Sequence, residues 1–264
     1  MLELKNITKI FNAGTVNEKV ALDGLSLTLN DGDFVTVIGG NGAGKSTLLN
    51  VVSGTHYVDE GTISIDGVDV TKLPEYKRAS YIGRVFQDPM MGTAADMWIE
   101  ENMSLAMDRG KKKGLSWAIK KSDREIYKQM LSKLGLGLEN RLSTKVGLLS
   151  GGQRQAVTLL MASMNHPKLF LLDEHTAALD PKTAAKVLEI TEQIVEEEKL
   201  TTLMITHNMK DALRLGNRII MMHEGKIIFD ASGEEKQKLT VKDLLAKFEQ
   251  ASAGEFASDR MLLV

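Results

Sequence analysis

Apolar and polar residues alternate over residues 2–8 and 25–29, and again over 62–65 ahead of the Asp66-Gly67 turn. Each stretch predicts a strand with one covered face, the pattern of an antiparallel sheet. Residues 34–38, 169–172 and 203–205 are instead short, almost unbroken apolar runs. Strands covered on both faces need that composition, so these three predict a parallel sheet core. Residues 45–53 carry Leu48, Leu49, Val51 and Val52 at helical spacing, with Gly54 placed to end the helix. Between residues 103 and 149 buried strands give way to helical spacing, as in Ile126, Met130, Leu131 and Leu134. Two later strands are expected over 218–222 and 226–229, then a closing helix over 240–250 and a frayed end from Ala251.

These elements predict an α/β fold with a mixed sheet, an N-terminal antiparallel β-subdomain and an inserted α-helical subdomain. The expected organisation is one domain over 1–264. A catalytic core takes 1–102 and 165–230, the helical subdomain 103–164, and a helical tail 231–264.

Composition narrows the partners. The chain has 264 residues, 43% hydrophobic and 26% charged, enough for a large core. Its formal charge of -2 supplies no positive field for a polyphosphate backbone, so nucleic acid is not expected as a partner. Cysteine is absent, which removes disulfides, thiolate metal sites and thiol catalysis. The opening MLELKNITKI reads as a strand, not an export signal, and no apolar run approaches the ~20 residues of a membrane-spanning helix. If this chain drives transport, other chains form the path.

Gly39-Gly40-Asn41-Gly42-Ala43-Gly44-Lys45-Ser46 satisfies G-x-x-x-x-G-K-[ST], between a buried strand and a helix. Glycines let successive N–H groups turn towards phosphate oxygens, and the helix N-terminus adds its dipole. Lys45 is expected to reach the β- and γ-phosphates of ATP, Ser46 to offer its hydroxyl to Mg2+, and Thr47 to lie near the α-phosphate. This predicts a P-loop NTPase core. The loop alone does not choose among kinases, GTPases and transport ATPases, which share the phosphate problem.

Leu149-Ser150-Gly151-Gly152-Gln153 opens a helical run through Val157, Leu160 and Met161, a second helix N-terminus able to receive an anion. By itself it is equally a capped helix with a Gly-Gly turn. Leu169-Phe170-Leu171-Leu172-Asp173-Glu174 ends a buried strand on two carboxylates, where ligands gather in parallel sheets; alone, either could be surface. Taken together, these motifs resemble the ABC ATPase family, whose signature is LSGGQ.

The resemblance runs from about Leu2 to Phe229 and implies roles residue by residue. Ser150, Gly151, Gly152 and Gln153 would cap the γ-phosphate held by the glycine loop of a second copy. Asp173 would orient Mg2+, and Glu174 would act as general base. Asp180, in Ala177-Ala178-Leu179-Asp180, would join the two active sites. His207 resembles the switch histidine and Gln87 the glutamine that senses Mg2+ and the attacking water. Phe11 lies where the family sets an aromatic ring against adenine. Two positions depart from the pattern. Gly40 stands where Pro or Ser is frequent, and is expected to loosen the loop. His175 replaces a proline common after the glutamate, and is expected to alter the dimer interface locally.

The family resemblance also implies transmembrane permease subunits. Met90, Met91, Met97, Trp98 and Met103 offer adaptable apolar side chains, either to a permease coupling helix or to the core. Arg109, Lys111, Lys112, Lys113, Lys120 and Lys121 surround Trp117, as a solvated face or one turned to anionic lipid. The strings 73–79 and 83–93 resemble the ATPase subunits of bacterial importers associated with tryptophan or tyrosine uptake, which work with a substrate-binding lipoprotein. That places the chain at the cytoplasmic face of the membrane. A lipoprotein-release or exporter ATPase, or a soluble iron–sulfur assembly ATPase, would share the same core.

Overall fold

The computed structural model describes residues 1–111 and 119–251. In chain order its elements are β1 (Leu2–Phe11), β2 (Lys19–Leu29), β3 (Phe34–Gly39), α1 (Lys45–Ser53), β4 (Glu60–Ile65), β5 (Val68–Asp69), α2 (Glu75–Arg78) and β6 (Ile82–Val85). The helical portion follows with α3 (Ile99–Met107), α4 (Lys121–Ser132) and α5 (Gly151–Ser163). The chain then continues through β7 (Leu169–Asp173), α6 (Pro181–Glu198), β8 (Thr202–Ile205), α7 (Met209–Arg214), β9 (Arg218–His223), β10 (Lys226–Ser232), α8 (Gly233–Lys238) and α9 (Val241–Ala251).

Two sheets form. The antiparallel one runs β2-β1-β4-β5, and the mixed one runs β10-β9-β3-β8-β7-β6, parallel except for β10. All six residues of β3 are buried, as the unbroken apolar run requires. The β4–β5 hairpin turns on Asp66 at φ 52° and Gly67 at φ 77°. Two consecutive left-handed residues match the twist of the strands they join.

β1 and β2 extend beyond the alternating stretches, to Phe11 and back to Lys19. Their pairing shifts register between Leu4 and Ile10, with Asn6 at φ 49°. Bulges of that kind break the period-2 signal while the strand continues. The α4 face also differs from expectation: Leu131 and Leu134 are buried, but Ile126 is exposed and Tyr127 fills the core instead. The closing helix starts with a reciprocal cap, Thr240 and Asp243 each accepting the other's backbone N–H.

The parallel order fixes the functional edge. β3, β8, β7 and β6 are neighbours in register, so the segments leaving their C-terminal ends meet at one rim. Those segments carry the glycine loop, His207, Asp173 with Glu174, and Gln87 respectively.

Candidate nucleotide site

The glycine loop could be built only with glycine at two key points. Gly39 has φ 154° and an added Cβ would stand 2.3 Å from the Met222 carbonyl oxygen; Gly44, at φ 98°, would meet the Ala21 oxygen at 2.5 Å. Between them the loop closes over Lys45, whose Nζ donates to the carbonyls of Gly39 at 2.7 Å and Gly40 at 3.0 Å. Burial pushes this ammonium below the ordinary lysine range, while the charges of Glu174 and Asp173 pull it back up. Lys45 is thus a buried cation satisfied by weak carbonyl partners, suited to exchange them for phosphate oxygens.

A cleft of about 300 Å³ opens over the loop. Phe11, Asn41 to Thr47, Glu174 and His207 all line it. The Phe11 ring is held edge-on by His56, with centroids 5.3 Å apart. Gln87 is exposed and lines a larger adjoining cleft of about 1250 Å³, together with Glu174 and His207.

Glu174 sits at φ 45°, an unusual backbone for a non-glycine residue, which costs about 1 kcal/mol or more and tends to persist at functional sites. The kink turns its carboxylate so that Oε1 lies 2.6 Å from His207 Nε2. Asp173 points the other way, towards Arg84 Nη2 at 3.4 Å. Burial pushes the Asp173 carboxyl above the usual range, opposed mainly by Arg84 and reinforced by Glu174. Adjacent carboxylates therefore stand in different settings: one on a histidine, one on a guanidinium.

Ser46, Gln87 and Asp173 offer only hard oxygen donors, which suits Mg2+. Among the described residues no cluster of three or more His, Asp or Glu side chains forms a protein cage.

The signature residues open α5, with Gly151 against Leu179 at the border of the larger cleft. Ser150 caps α5 reciprocally with Gln153, by bonds of 3.3 and 3.2 Å. Gly152 permits α5 to pack on α6, since a Cβ would fall 2.2 Å from Thr183 Cγ2. Ser150, Gly151, Gly152 and Gln153 line neither cleft at the glycine loop. Asp180 caps α6, accepting from Thr183 N at 3.1 Å, and hydrogen bonds from Thr183 hold its carboxyl below the usual range.

Two expectations need correction, for His175 and Arg109, and one open alternative is resolved. His175 is 1% exposed, with Nε2 3.0 Å from Thr191 Oγ1; it faces α6 and the interior, not a subunit surface. Burial drops its pKa to about 4, so it stays neutral near pH 7. Met103 is fully buried, whereas Met90, Met91 and Trp98 are exposed. Arg109 turns inward to the Ala162 carbonyl, while Lys112, Lys113 and Trp117 lie outside the described residues. Two contacts escaped sequence reading. Phe248 of α9 lies against Gly40, and Arg84 reaches Asp173.

A family model described as ABC transporter matches residues 22–177, more than half of the chain. The chain belongs to the ABC transporter family. As an ABC cassette it is an ATPase, with ATP as its substrate. It is 46% identical over 251 residues to a tyrosine transport ATP-binding protein of Clostridioides difficile, covering 95% of this chain and 100% of that one. A xylose/arabinose import ATP-binding protein of Sulfolobus acidocaldarius is 35% identical, with 94% of each chain covered. Among solved structures, the ADP conformation of an ATP-binding cassette of an ABC transporter matches with a TM-score of 0.78 at 30% identity, covering 97% of this chain and 99% of that chain. A dimeric cassette in a post-hydrolysis state with ADP and Pi matches with a TM-score of 0.75 at 30% identity, over 88% and 98%.

Proposed function

We propose that this ABC cassette powers the import of an aromatic amino acid, tyrosine above all, as a head-to-tail homodimer beneath a permease. That Ser150, Gly151, Gly152 and Gln153 line neither cleft at their own chain's glycine loop supports the dimer, as does the similarity to a dimeric cassette. A second copy, turned by a two-fold, presents that helix N-terminus to the γ-phosphate. The similarity to the tyrosine transport protein supports the substrate.

Within each site Phe11 stacks on adenine, and the N–H groups of residues 39–47 receive the phosphates. Lys45 leaves the Gly39 and Gly40 carbonyls for the β- and γ-phosphates. Ser46, Asp173 and Gln87 would hold Mg2+, which would supply charge neutralisation to the phosphates. Glu174 takes a proton from the attacking water, whose oxygen bonds to the γ-phosphorus as the bond to ADP breaks. His207, hydrogen-bonded to Glu174 Oε1, holds that carboxylate and senses the γ-phosphate. Asp180 carries the state of one site to the other across the dimer. Loss of the shared γ-phosphate then frees the helical subdomain to swing away.

Among the described residues no helix is long and apolar enough to cross a membrane. In this reading the cassette docks on the permease at the cytoplasmic face through the exposed Met90, Met91 and Trp98, with a substrate-binding lipoprotein delivering solute from the other side. Reconstitution with a candidate tyrosine permease from the same organism tests this. ATP-dependent accumulation of labelled tyrosine in vesicles supports the reading. Recovery only with soluble assembly proteins, or tyrosine-independent transport, overturns it.

A further inference from the structure

Arg84 lies on β6, three residues before Gln87, and its side chain is only 12% exposed. Its guanidinium is fixed from several directions. Nη1 donates to Ser53 Oγ at 2.9 Å and to Thr55 Oγ1 at 3.3 Å, while Nη2 donates to Asn50 Oδ1 at 2.8 Å. The Phe86 ring lies beneath it, 4.6 Å from ring centroid to Cζ. Asn50 and Ser53 belong to α1, the helix that begins at Lys45 and Ser46. The same Nη2 then reaches Asp173 Oδ2 at 3.4 Å.

One planar cation thus spans the glycine-loop helix, the strand leading to Gln87, and the carboxylate at the end of β7. A contact of 3.4 Å would orient little if the cation were mobile. Anchored on three acceptors and an aromatic face, it gives Asp173 a fixed partner in a largely dry setting. Without that partner the carboxylate would keep only the weaker Lys45 charge against the repulsion of Glu174. The remaining guanidinium nitrogen, Nε, is buried without a hydrogen bond, so the anchoring of the other two nitrogens comes with an unsatisfied polar atom. A strut needed only for packing could be apolar.

We propose that Arg84 is a positioning residue for the nucleotide-bound metal: held on α1, it keeps the Asp173 carboxylate in register with Ser46 while touching neither ATP nor metal. This rests on the reading of Asp173 as the Mg2+-orienting carboxylate. Partners that orient a metal ligand typically account for about 10–100-fold in metal affinity. Asp173 shares its metal with phosphate and water, so the lower end applies here.

The test measures Mn2+ binding by electron paramagnetic resonance on the whole protein with the non-hydrolysable analogue AMP-PNP. Wild type is compared with Arg84→Met, Arg84→Lys, Asn50→Ala and Asp173→Asn. Arg84→Met should weaken Mn2+ about tenfold, and raise the Mg2+ concentration for half-maximal ATPase similarly. ATP binding in excess EDTA should stay within about twofold, because the phosphate loop keeps its own contacts. Arg84→Lys should recover part of the loss, keeping the charge but not the fork. Asn50→Ala, which removes one anchor and leaves the guanidinium, should weaken Mn2+ in the same direction and covers the case in which Arg84→Met does not fold. Unchanged or tighter Mn2+ binding in Arg84→Met, or in Asn50→Ala where that variant must serve, overturns the proposal if Asp173→Asn weakens it. Unchanged binding in Asp173→Asn would instead overturn the reading of Asp173 on which this one stands.

Discussion

The contact between Gly40 and Phe248 ties the closing helix to the nucleotide loop, and its strength can be measured by a double-mutant cycle. Phe248 is 7% exposed and stacks edge-on against His223, with centroids 5.9 Å apart. A Cβ at Gly40 would lie 3.1 Å from Phe248 Cζ and 3.6 Å from Cε2. Gly40 lies outside the left-handed region, so alanine there meets the ring without added backbone strain. The ring must retreat by a few tenths of an ångström. Overpacking of this kind costs about 1–3 kcal/mol, and one methyl against a ring on a terminal helix belongs near 1 kcal/mol. Phe248→Ala alone should cost about 3 kcal/mol, the lower end for a buried phenylalanine. In the Phe248→Ala background the Gly40→Ala penalty should vanish, giving a coupling of about 1 kcal/mol. Urea unfolding followed by far-UV circular dichroism, without nucleotide, reads all four corners. Additivity within about 0.3 kcal/mol would refute the contact.

Trp98→Glu should weaken permease capture about 30-fold, the loss of a tryptophan anchor of ~2 kcal/mol, while stability moves by less than about 0.5 kcal/mol. Pull-down against detergent-solubilised permease checks it; undiminished capture removes Trp98 from the docking face. Lys236 is 4% exposed, donates to the carbonyls of Leu215 and Gly216, and burial pushes its pKa down to about 8. Between that value and the ordinary 10.5 the unfolded chain binds more protons, so this group makes the fold more stable as pH rises, by at most about 3 kcal/mol. Unfolding free energies across that window should show the rise in wild type and lose it in Lys236→Met.

The phosphate loop, the signature and the paired carboxylates were legible because each motif is local and sits where the strand or helix pattern changes. The parallel strands were legible for a related reason: burial on both faces leaves a continuous apolar run. What escaped was long-range. Nothing near Arg84 in sequence announces Asn50 or Asp173, which lie 34 and 89 residues away. Gly40 reads in sequence as a looser loop, and nothing near it announces Phe248, far along the chain, against which it lies. The position of His175 after Glu174 predicts an effect at the dimer interface; the left-handed turn at Glu174 sends the histidine side chain inward to Thr191 instead. The bulges between β1 and β2 hid residues 9–11 of β1 and 19–24 of β2, since a register shift moves side chains between faces.

The central claim is that one chain holds only half of each active site. Glu174→Gln removes the proposed base while leaving the phosphate loop, Lys45 and the signature intact. Light scattering of this variant with saturating Mg-ATP tests the claim most directly. The account predicts a stable dimer retaining two unhydrolysed ATP molecules, and a return to monomers when Ser150 and Gly151 are also replaced by bulky residues. A Glu174→Gln protein that binds ATP and remains monomeric would contradict it.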